Sequence, residues 1–254
     1  MKLFDLNGRV AVVTGGNGGI GLGMAKGFAQ AGSAVVVAGR QKDKNAAAVK
    51  EIAALGAKAI AVEVDVTRED SVKAMVAQTV AQLGRLDILV NNAGIAIRKP
   101  PQDYTLAEWQ QVIDINLTGA FLCSHAAYPE MVRARGGKII NIGSMMSIFG
   151  APYTVAYAAS KGGIVQMSKA MATAWAKDNI QVNSILPGWI DTDLTRAARQ
   201  QVQGLNERVL ARTPAGRWGL PDDFAGTAVF LASAASDFVT GATIAVDGGY
   251  SSQG

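Results

Sequence analysis

Tyr157 and Lys161 stand four residues apart in Val155-Ala156-Tyr157-Ala158-Ala159-Ser160-Lys161, and Ser144 lies thirteen residues before the tyrosine. On a helix, positions i and i+4 share a face, so this spacing sets an ammonium beside a phenol. A free phenol titrates at about 10, and a neighbouring positive charge lowers that value by favouring the phenolate. A phenol tuned in this way exchanges a proton near neutral pH, as a general acid–base must. Taken alone, the pair is also the ordinary decoration of a solvated helix, so its meaning depends on its surroundings.

Near the N-terminus, Arg9-Val10-Ala11-Val12-Val13-Thr14 runs into Gly15-Gly16-Asn17-Gly18-Gly19-Ile20-Gly21, and a helical pattern follows from Leu22 to Ala29. A β-branched strand, a glycine turn and a helix in that order let the backbone approach a pyrophosphate and aim a helix N-terminus at it. The glycines are spaced Thr14-Gly15-x-x-x-Gly19-x-Gly21 rather than Gly-x-Gly-x-x-Gly. Turns also use glycine simply for positive φ.

Further landmarks follow in order. Asn91-Asn92-Ala93-Gly94 comes after the apolar run Ile88-Leu89-Val90, and Asn116 sits in Asp114-Ile115-Asn116-Leu117-Thr118-Gly119. Ser144 ends Ile139-Ile140-Asn141-Ile142-Gly143-Ser144, Pro187-Gly188-Trp189-Ile190-Asp191-Thr192 follows Val182 to Leu186, and Asp247-Gly248-Gly249 closes the last apolar run. Together these motifs resemble the short-chain dehydrogenase/reductase family over essentially the whole chain. The resemblance implies a carbonyl–alcohol oxidoreductase in which Tyr157 protonates the carbonyl oxygen in reduction and deprotonates the alcohol in oxidation. It further implies that Lys161 holds the nicotinamide ribose and lowers the phenol's pKa, and that Ser144 hydrogen-bonds the substrate oxygen where charge develops. Asn116 would anchor a water linking Lys161 to solvent; an asparagine inside a helix can equally bond locally.

By the same resemblance the cofactor lies along Gly15, Asn17, Gly19, Ile20 and Gly21. Asp65 and Val66 sit at its adenine end, Asn92, Ala93 and Gly94 border it, and Pro187, Gly188, Ile190 and Thr192 lie beside the nicotinamide amide. The second strand ends Ala38-Gly39-Arg40, with glycine where NAD-preferring enzymes place a ribose-binding carboxylate. Arg40 suits a 2′-phosphate, so NADP(H) is favoured, with NAD(H) as the alternative. For the substrate, Ser144-Met145-Met146-Ser147 and Pro214 to Gly219 look similar to relatives that act on sugars, sugar acids and polyols. Ser144, Met146, Tyr153, Tyr157 and Trp189 are the candidate contacts, with ring stacking from Tyr153 and Trp189. Arg196, Arg199, Arg208 and Arg212 are candidates for meeting a carboxylate. The rival within the enzymes is a 3-oxoacyl thioester reductase whose arginines dock an acidic carrier protein. The rival of another class is a catalytically idle dinucleotide sensor, which would have no need of Asn116, Ser144, Tyr157 and Lys161.

These residues need a scaffold, and the hydrophobic pattern supplies one. Strand patterns at 9–14, 34–39, 58–64, 86–90, 137–142, 180–185 and 242–246 alternate with helical patterns at 19–31, 42–55, 68–83, 105–133, 153–177 and 222–234. Repeated β-α-β units imply α/β architecture: one doubly wound parallel sheet of the Rossmann type, about seven strands, with helices on both faces. Residues 1–254 are expected to form a single dinucleotide-binding and catalytic domain, with a substrate lid near 191–219, the least patterned stretch. Thr67-Arg68-Glu69-Asp70 and Thr105-Leu106-Ala107-Glu108 read as helix starts, the second as a capping box. Gly15, Arg40, Asp65, Asn92, Ser144 and Pro187 all fall just past strand ends, where such sheets bind ligands.

Composition narrows the classes. The 254 residues suit one α/β domain, and 29 glycines exceed the usual roughly 7%. The net charge of +4 comes from dispersed basic residues, so nucleic acid is not an expected partner. One cysteine, Cys123, and one histidine, His125, exclude an intrachain disulfide and leave no basis for a transition-metal centre. No apolar run reaches membrane-spanning length and the first residues do not resemble a signal peptide, so a cytoplasmic protein without a membrane partner is expected. Small residues on more than one face of the 105–133 and 153–177 patterns (Ala120, Ala126, Ala127, Ala158, Ala159, Gly162, Gly163, Ala170, Ala172 and Ala174) and the family resemblance imply a homotetramer.

Overall fold

A computed structural model describes residues 2–253. In chain order the main elements are β1 (Val10–Thr14), α1 (Gly19–Gln30), β2 (Ala34–Gly39), α2 (Lys42–Ala53), β3 (Ala59–Glu63), α3 (Glu69–Leu83), β4 (Ile88–Asn91), α4 (Leu106–Ile113), α5 (Gly119–Arg133), β5 (Gly137–Ile142), α6 (Val155–Trp175), β6 (Ile180–Pro187), α7 (Asp193–Gln201), α8 (Leu205–Arg212), α9 (Ala225–Ala232) and β7 (Thr243–Val246). The seven strands form one parallel sheet in the order β3-β2-β1-β4-β5-β6-β7, so the expected doubly wound architecture is observed.

Why the sheet carries helices on both faces is written in β1. Alternate residues of a strand point to opposite faces. Ala11 and Val13 pack with Met24 and Phe28 of α1, Ile52 of α2 and Leu231 of α9. Val10 and Val12 pack with Met75 of α3, Cys123 and Met131 of α5 and Met171 of α6. Parallel strands buried on both sides read as continuous apolar runs, as Val10 to Val13 do.

Three local expectations change. The helix at 105–133 is interrupted: α4 leads through a π-helical turn, Asp114–Thr118, into α5. The Asn116 amide, tied to the neighbouring backbone at Ile95 as described below, sits in this widened turn; such turns are most frequent at functional sites. The Thr67 hydroxyl does not cap α3. It donates to Asp65 Oδ1 (2.8 Å), and the helix starts at Glu69 after an uncapped Arg68. The 191–219 stretch is not loose: α7 and α8 enclose a small apolar cluster of Ala198, Leu205 and Val209. Its two ends are fastened by the amide of Asp191 donating to Gly219 O (2.8 Å) and that of Gly219 to Trp189 O (2.9 Å). The capping box at α4 forms as read, with the Glu108 amide donating to Thr105 Oγ1 (3.2 Å) and the Thr105 amide to Glu108 Oε2 (3.0 Å). Of the small residues on α5 and α6, Ala120, Ala127 and Ala172 turn inward under the sheet, whereas Ala159, Ala170 and Ala174 stay exposed. No helix among the described residues is long and apolar enough to cross a membrane.

Candidate active site

The glycine turn is braced by the ends of β1 and β4. Thr14 Oγ1 accepts from the amides of Asn92 (3.1 Å) and Ala93 (3.2 Å), and Asn92 Nδ2 donates to the carbonyls of Thr14 (3.1 Å) and Gly15 (3.0 Å). Gly15 has φ +63°, and a β-carbon on Gly21 would fall 2.4 Å from Gly15 O. Neither position accepts a side chain, so the turn stays bare backbone. Helix α1 begins at Gly19 with no side chain capping its N-terminus, which leaves its first amides for an anion.

Beside this turn opens a groove of about 470 Å³ lined by Gly15, Asn17, Arg40, Asp65, Val66, Ala93 and Gly94, all anticipated from the sequence. Gln41, Ile95 and Ile115 line it as well; nothing in their residue types marked them out. Asn17 is held by donating to Asn45 Oδ1 (2.6 Å). Hydrogen bonds from the Thr67 hydroxyl and amide hold the Asp65 carboxyl below its ordinary range, with a smaller contribution from Arg40. Arg40 itself makes no hydrogen bond or ion pair with any described residue, while Lys42 is paired with Glu63 (3.1 Å).

A second cavity, of about 130 Å³, adjoins the first at Gly94. Ser144, Tyr157 and Lys161 line it from one side. Ile20, Asn92, Pro187, Gly188, Ile190 and Thr192 complete it as anticipated, and Leu194 and Thr195 were not foreseen. Gly19 touches this wall too: a β-carbon there would lie 3.2 Å from Thr192 Cγ2. Every anticipated catalytic and cofactor residue therefore lies in or beside one continuous cleft at the carboxyl ends of the strands.

Within it, Lys161 Nζ donates to the Ile142 carbonyl (2.6 Å) and lies 5.6 Å from the Tyr157 ring centroid. Burial pushes its ammonium down to about 8. The phenol does not follow the expected depression by Lys161. Burial raises Tyr157 above its ordinary value, with the Ser144 hydroxyl and the Arg98 guanidinium acting in the other direction. Ser144 Oγ accepts from the Met146 amide (3.1 Å), which leaves its proton free to donate toward the cavity. The Asn116 side chain is engaged on three sides: its Oδ1 accepts from the Ile95 amide (2.8 Å), and its Nδ2 donates to Ile95 O and Ser160 Oγ (both 3.0 Å). A β-carbon on Gly94 would sit 3.2 Å from Asn116 Oδ1 and 3.7 Å from Lys161 Nζ, so the two groups face each other across Gly94.

The substrate candidates are less well gathered. Met146 packs beside Met145, Val165 and Leu186, Tyr153 is half-exposed ahead of α6, and neither lines the catalytic cavity. Trp189 packs edge-on against Trp218 (5.7 Å between centroids) inside the 191–219 cluster. The arginines of that segment mostly have partners. Arg196 and Arg199 bind Asp191, Arg208 donates to Gln203 O (2.9 Å), and Arg212 stacks between Phe149 (4.9 Å) and Tyr250 (4.5 Å). Among the charged residues, sequence reasoning also missed Arg98. It is half-buried, close enough to Tyr157 and Tyr104 to feel their charges, and makes no hydrogen bond or ion pair with any described residue. Its neighbour Lys99 is paired with Glu108. Burial pushes the Arg98 guanidinium below its ordinary value.

The cleft has the parts that a dinucleotide requires: a bare glycine turn, an uncapped helix N-terminus, a free guanidinium past the second strand, and a Ser-Tyr-Lys set at the far end. The fold and these residues define a dinucleotide-dependent oxidoreductase. Residues 15–251 match the family described as enoyl-(acyl carrier protein) reductase, and the chain belongs to the short-chain dehydrogenase/reductase family. It is 45% identical over 250 residues to 2-dehydro-3-deoxy-D-gluconate 5-dehydrogenase of Formosa agariphila, covering 98% of this chain and 95% of that one. It is 39% identical to 5-keto-D-gluconate 5-reductase of Escherichia coli, over 97% of both. The crystal structure of a gluconate 5-dehydrogenase from Burkholderia cenocepacia in complex with NADP and tartrate superposes with a TM-score of 0.95 at 40% identity, covering 100% of this chain and 99% of that one. The chain is an NAD(P)-dependent enzyme that interconverts a secondary alcohol and a ketone.

Proposed function

We propose that the substrate is a sugar acid, and that NADP(H) is the preferred cofactor. When bound, the nicotinamide supplies or accepts the hydride. Tyr157 donates the proton to the carbonyl oxygen in reduction and removes it from the hydroxyl in oxidation, with Ser144 donating a hydrogen bond to that same oxygen. Lys161 turns its ammonium to the ribose, and Asn116 holds a water on the route from Lys161 to solvent.

The observation that carries the substrate reading is Arg98: a half-buried guanidinium with no hydrogen-bond or ion-pair partner among the described residues, within electrostatic reach of the catalytic phenol. A charge in such a place is costly without a counter-ion, and a carboxylate meets a guanidinium bidentately. The relatives named for gluconate and its keto-derivatives fit an anchor of this kind, since those compounds carry a carboxylate at one end. Arg40 plays the matching part for the 2′-phosphate at the other end of the cleft. The test pairs charged and uncharged substrates. Arg98→Ala should raise KM for a keto-sugar acid by roughly 10- to 100-fold, the worth of a charge-assisted hydrogen bond. The same change should leave kcat/KM for an uncharged ketose nearly as in the wild type. Equal losses on both substrates, or a wild-type enzyme indifferent to sugar acids, would refute the reading.

The segment 191–219 is read as the lid, because Ile190, Thr192, Leu194 and Thr195 at its start line the catalytic cavity. A homotetramer is proposed from the exposed Phe121, Ala159, Ala170 and Ala174 on α5 and α6, and from Phe238, fully exposed ahead of β7. The cytoplasm is the proposed location.

A further inference from the structure

We propose that Ser147 is a positioning residue for the reaction, strapping the loop that carries Ser144 to the helical turn that carries Tyr157 and Lys161. The proposal rests on the reading that Ser144 and Tyr157 carry the proton chemistry. Ser147 Oγ accepts from the Ser144 amide (3.2 Å) and donates to the Lys161 carbonyl (2.7 Å). The Ser147 amide closes the same turn by donating to Ser144 O (2.9 Å). One hydroxyl thus spans two elements, the short turn after β5 and the middle of α6. It does so at the backbone of Ser144 and at that of Lys161, one helical turn after Tyr157. Ser147 does not line the catalytic cavity, so it acts through Ser144 rather than on the substrate. Gly143 makes the approach feasible: a β-carbon there would sit 2.9 Å from Ser147 Oγ.

A second tie between these elements exists, from Lys161 Nζ to the Ile142 carbonyl. That tie depends on where the ammonium points, and it is strained or lost if the ammonium shifts toward a ribose hydroxyl. The Ser147 strap uses the Lys161 backbone and is indifferent to where the ammonium points. It therefore helps to hold Ser144 at its distance from Tyr157 whichever way the ammonium points, alongside the packing of Met145 against Val165. Misplacement of a reacting group by about 1 Å costs up to roughly 100-fold in rate, so a strap lost at this point should be visible in kcat.

The experiment is a mutant cycle read at saturating NADPH and ketone. Ser147→Ala should lower kcat by roughly 10-fold or more while the NADPH dissociation constant, measured by fluorescence titration, stays within about twofold of wild type. Ser147→Thr, which keeps the hydroxyl, should recover most of the rate. In a Ser144→Ala background, adding Ser147→Ala should cost nothing further, because the group being positioned is gone. Wild-type kcat in Ser147→Ala, the same loss in Ser147→Thr, or an undiminished loss in the Ser144→Ala background would each overturn the strap. If Ser144→Ala alone kept full activity, the catalytic reading beneath it would fall instead, and the strap with it.

Discussion

Lys161 is an ammonium buried at 4% exposure with one carbonyl as partner, and that arrangement has a measurable cost. Burial lowers its pKa from 10.5 to about 8. The folded protein therefore binds fewer protons than the unfolded chain between about pH 8 and 10.5, and stability rises with pH across that window. Below it, the full penalty is present. At about 1.4 kcal/mol per pH unit the drop corresponds to about 3 kcal/mol, of which about 2–3 kcal/mol is relieved by pH 10. Lys161→Met removes the titration altogether. At pH 7 the variant gains by losing the buried charge and loses by leaving the Ile142 carbonyl without its donor, a cost of about 1–3 kcal/mol. The absolute change at one pH is thus small, and the difference between two pH values is the discriminating quantity. Urea unfolding of both proteins, without added cofactor, at pH 7 and pH 10 gives it. The wild type should gain about 2–3 kcal/mol on the variant over this range, while the variant lacks turnover. Parallel pH dependences, or a wild type that loses ground to Lys161→Met as pH rises, would refute the argument that burial sets this ammonium.

Other consequences are direct. Tyr157→Phe should bind NADPH as the wild type does yet turn over roughly 100-fold or more slowly in a near-ultraviolet assay of cofactor oxidation. Because burial raises the phenol, oxidation of the alcohol, which needs the phenolate, should accelerate through the alkaline range, whereas reduction, which needs the neutral phenol, should hold through neutrality and fall there. An oxidation optimum at or below pH 7 would contradict this. Arg40→Ala should raise KM for NADPH far more than for NADH, and equal effects would make Arg40 a solvated charge. Light scattering of active enzyme should give four times the 26.4 kDa chain mass; a monomer mass would remove the proposed assembly.

The sheet was legible because its signals are local. Val10-Ala11-Val12-Val13 followed by glycines, or Ile139-Ile140 followed by Gly143-Ser144, announces a buried strand and the ligand end of it within ten residues. What the sequence left open depends on partners brought from afar. Nothing within Asp114 to Thr118 tells that Asn116 will bond Ile95, twenty-one residues earlier, in a π turn. Thr67 read as a cap because threonine caps helices, but Asp65, two residues back, offered a better acceptor. Trp189 and Met146 read as substrate contacts from their place beside motifs. In the fold each packs against a small apolar cluster whose other members come largely from elsewhere in the chain, which residue type and motif position do not announce.

Arg98 marks the limit of that legibility more sharply than any of these. Its sequence neighbourhood, Ile97-Arg98-Lys99-Pro100, offers two cations side by side, and residue type alone gives no reason to prefer either. The difference is one of partners. Lys99 meets Glu108, set at the first turn of α4 by the capping box with Thr105, so its charge is neutralised within the fold. Arg98 lies within electrostatic reach of the phenols of Tyr157 and Tyr104 and pairs with no acid among the described residues. The defining property of a binding cation is therefore a missing interaction, and an absence of that kind has no sequence signature. The same logic separates Arg40 from Lys42: Arg40 lines the groove beside the glycine turn with no partner among the described residues, while Lys42 is tied down by Glu63. Pairing Lys42 and Lys99 while leaving Arg40 and Arg98 without acidic partners among the described residues is what the proposed pairing of a 2′-phosphate with a substrate carboxylate would require.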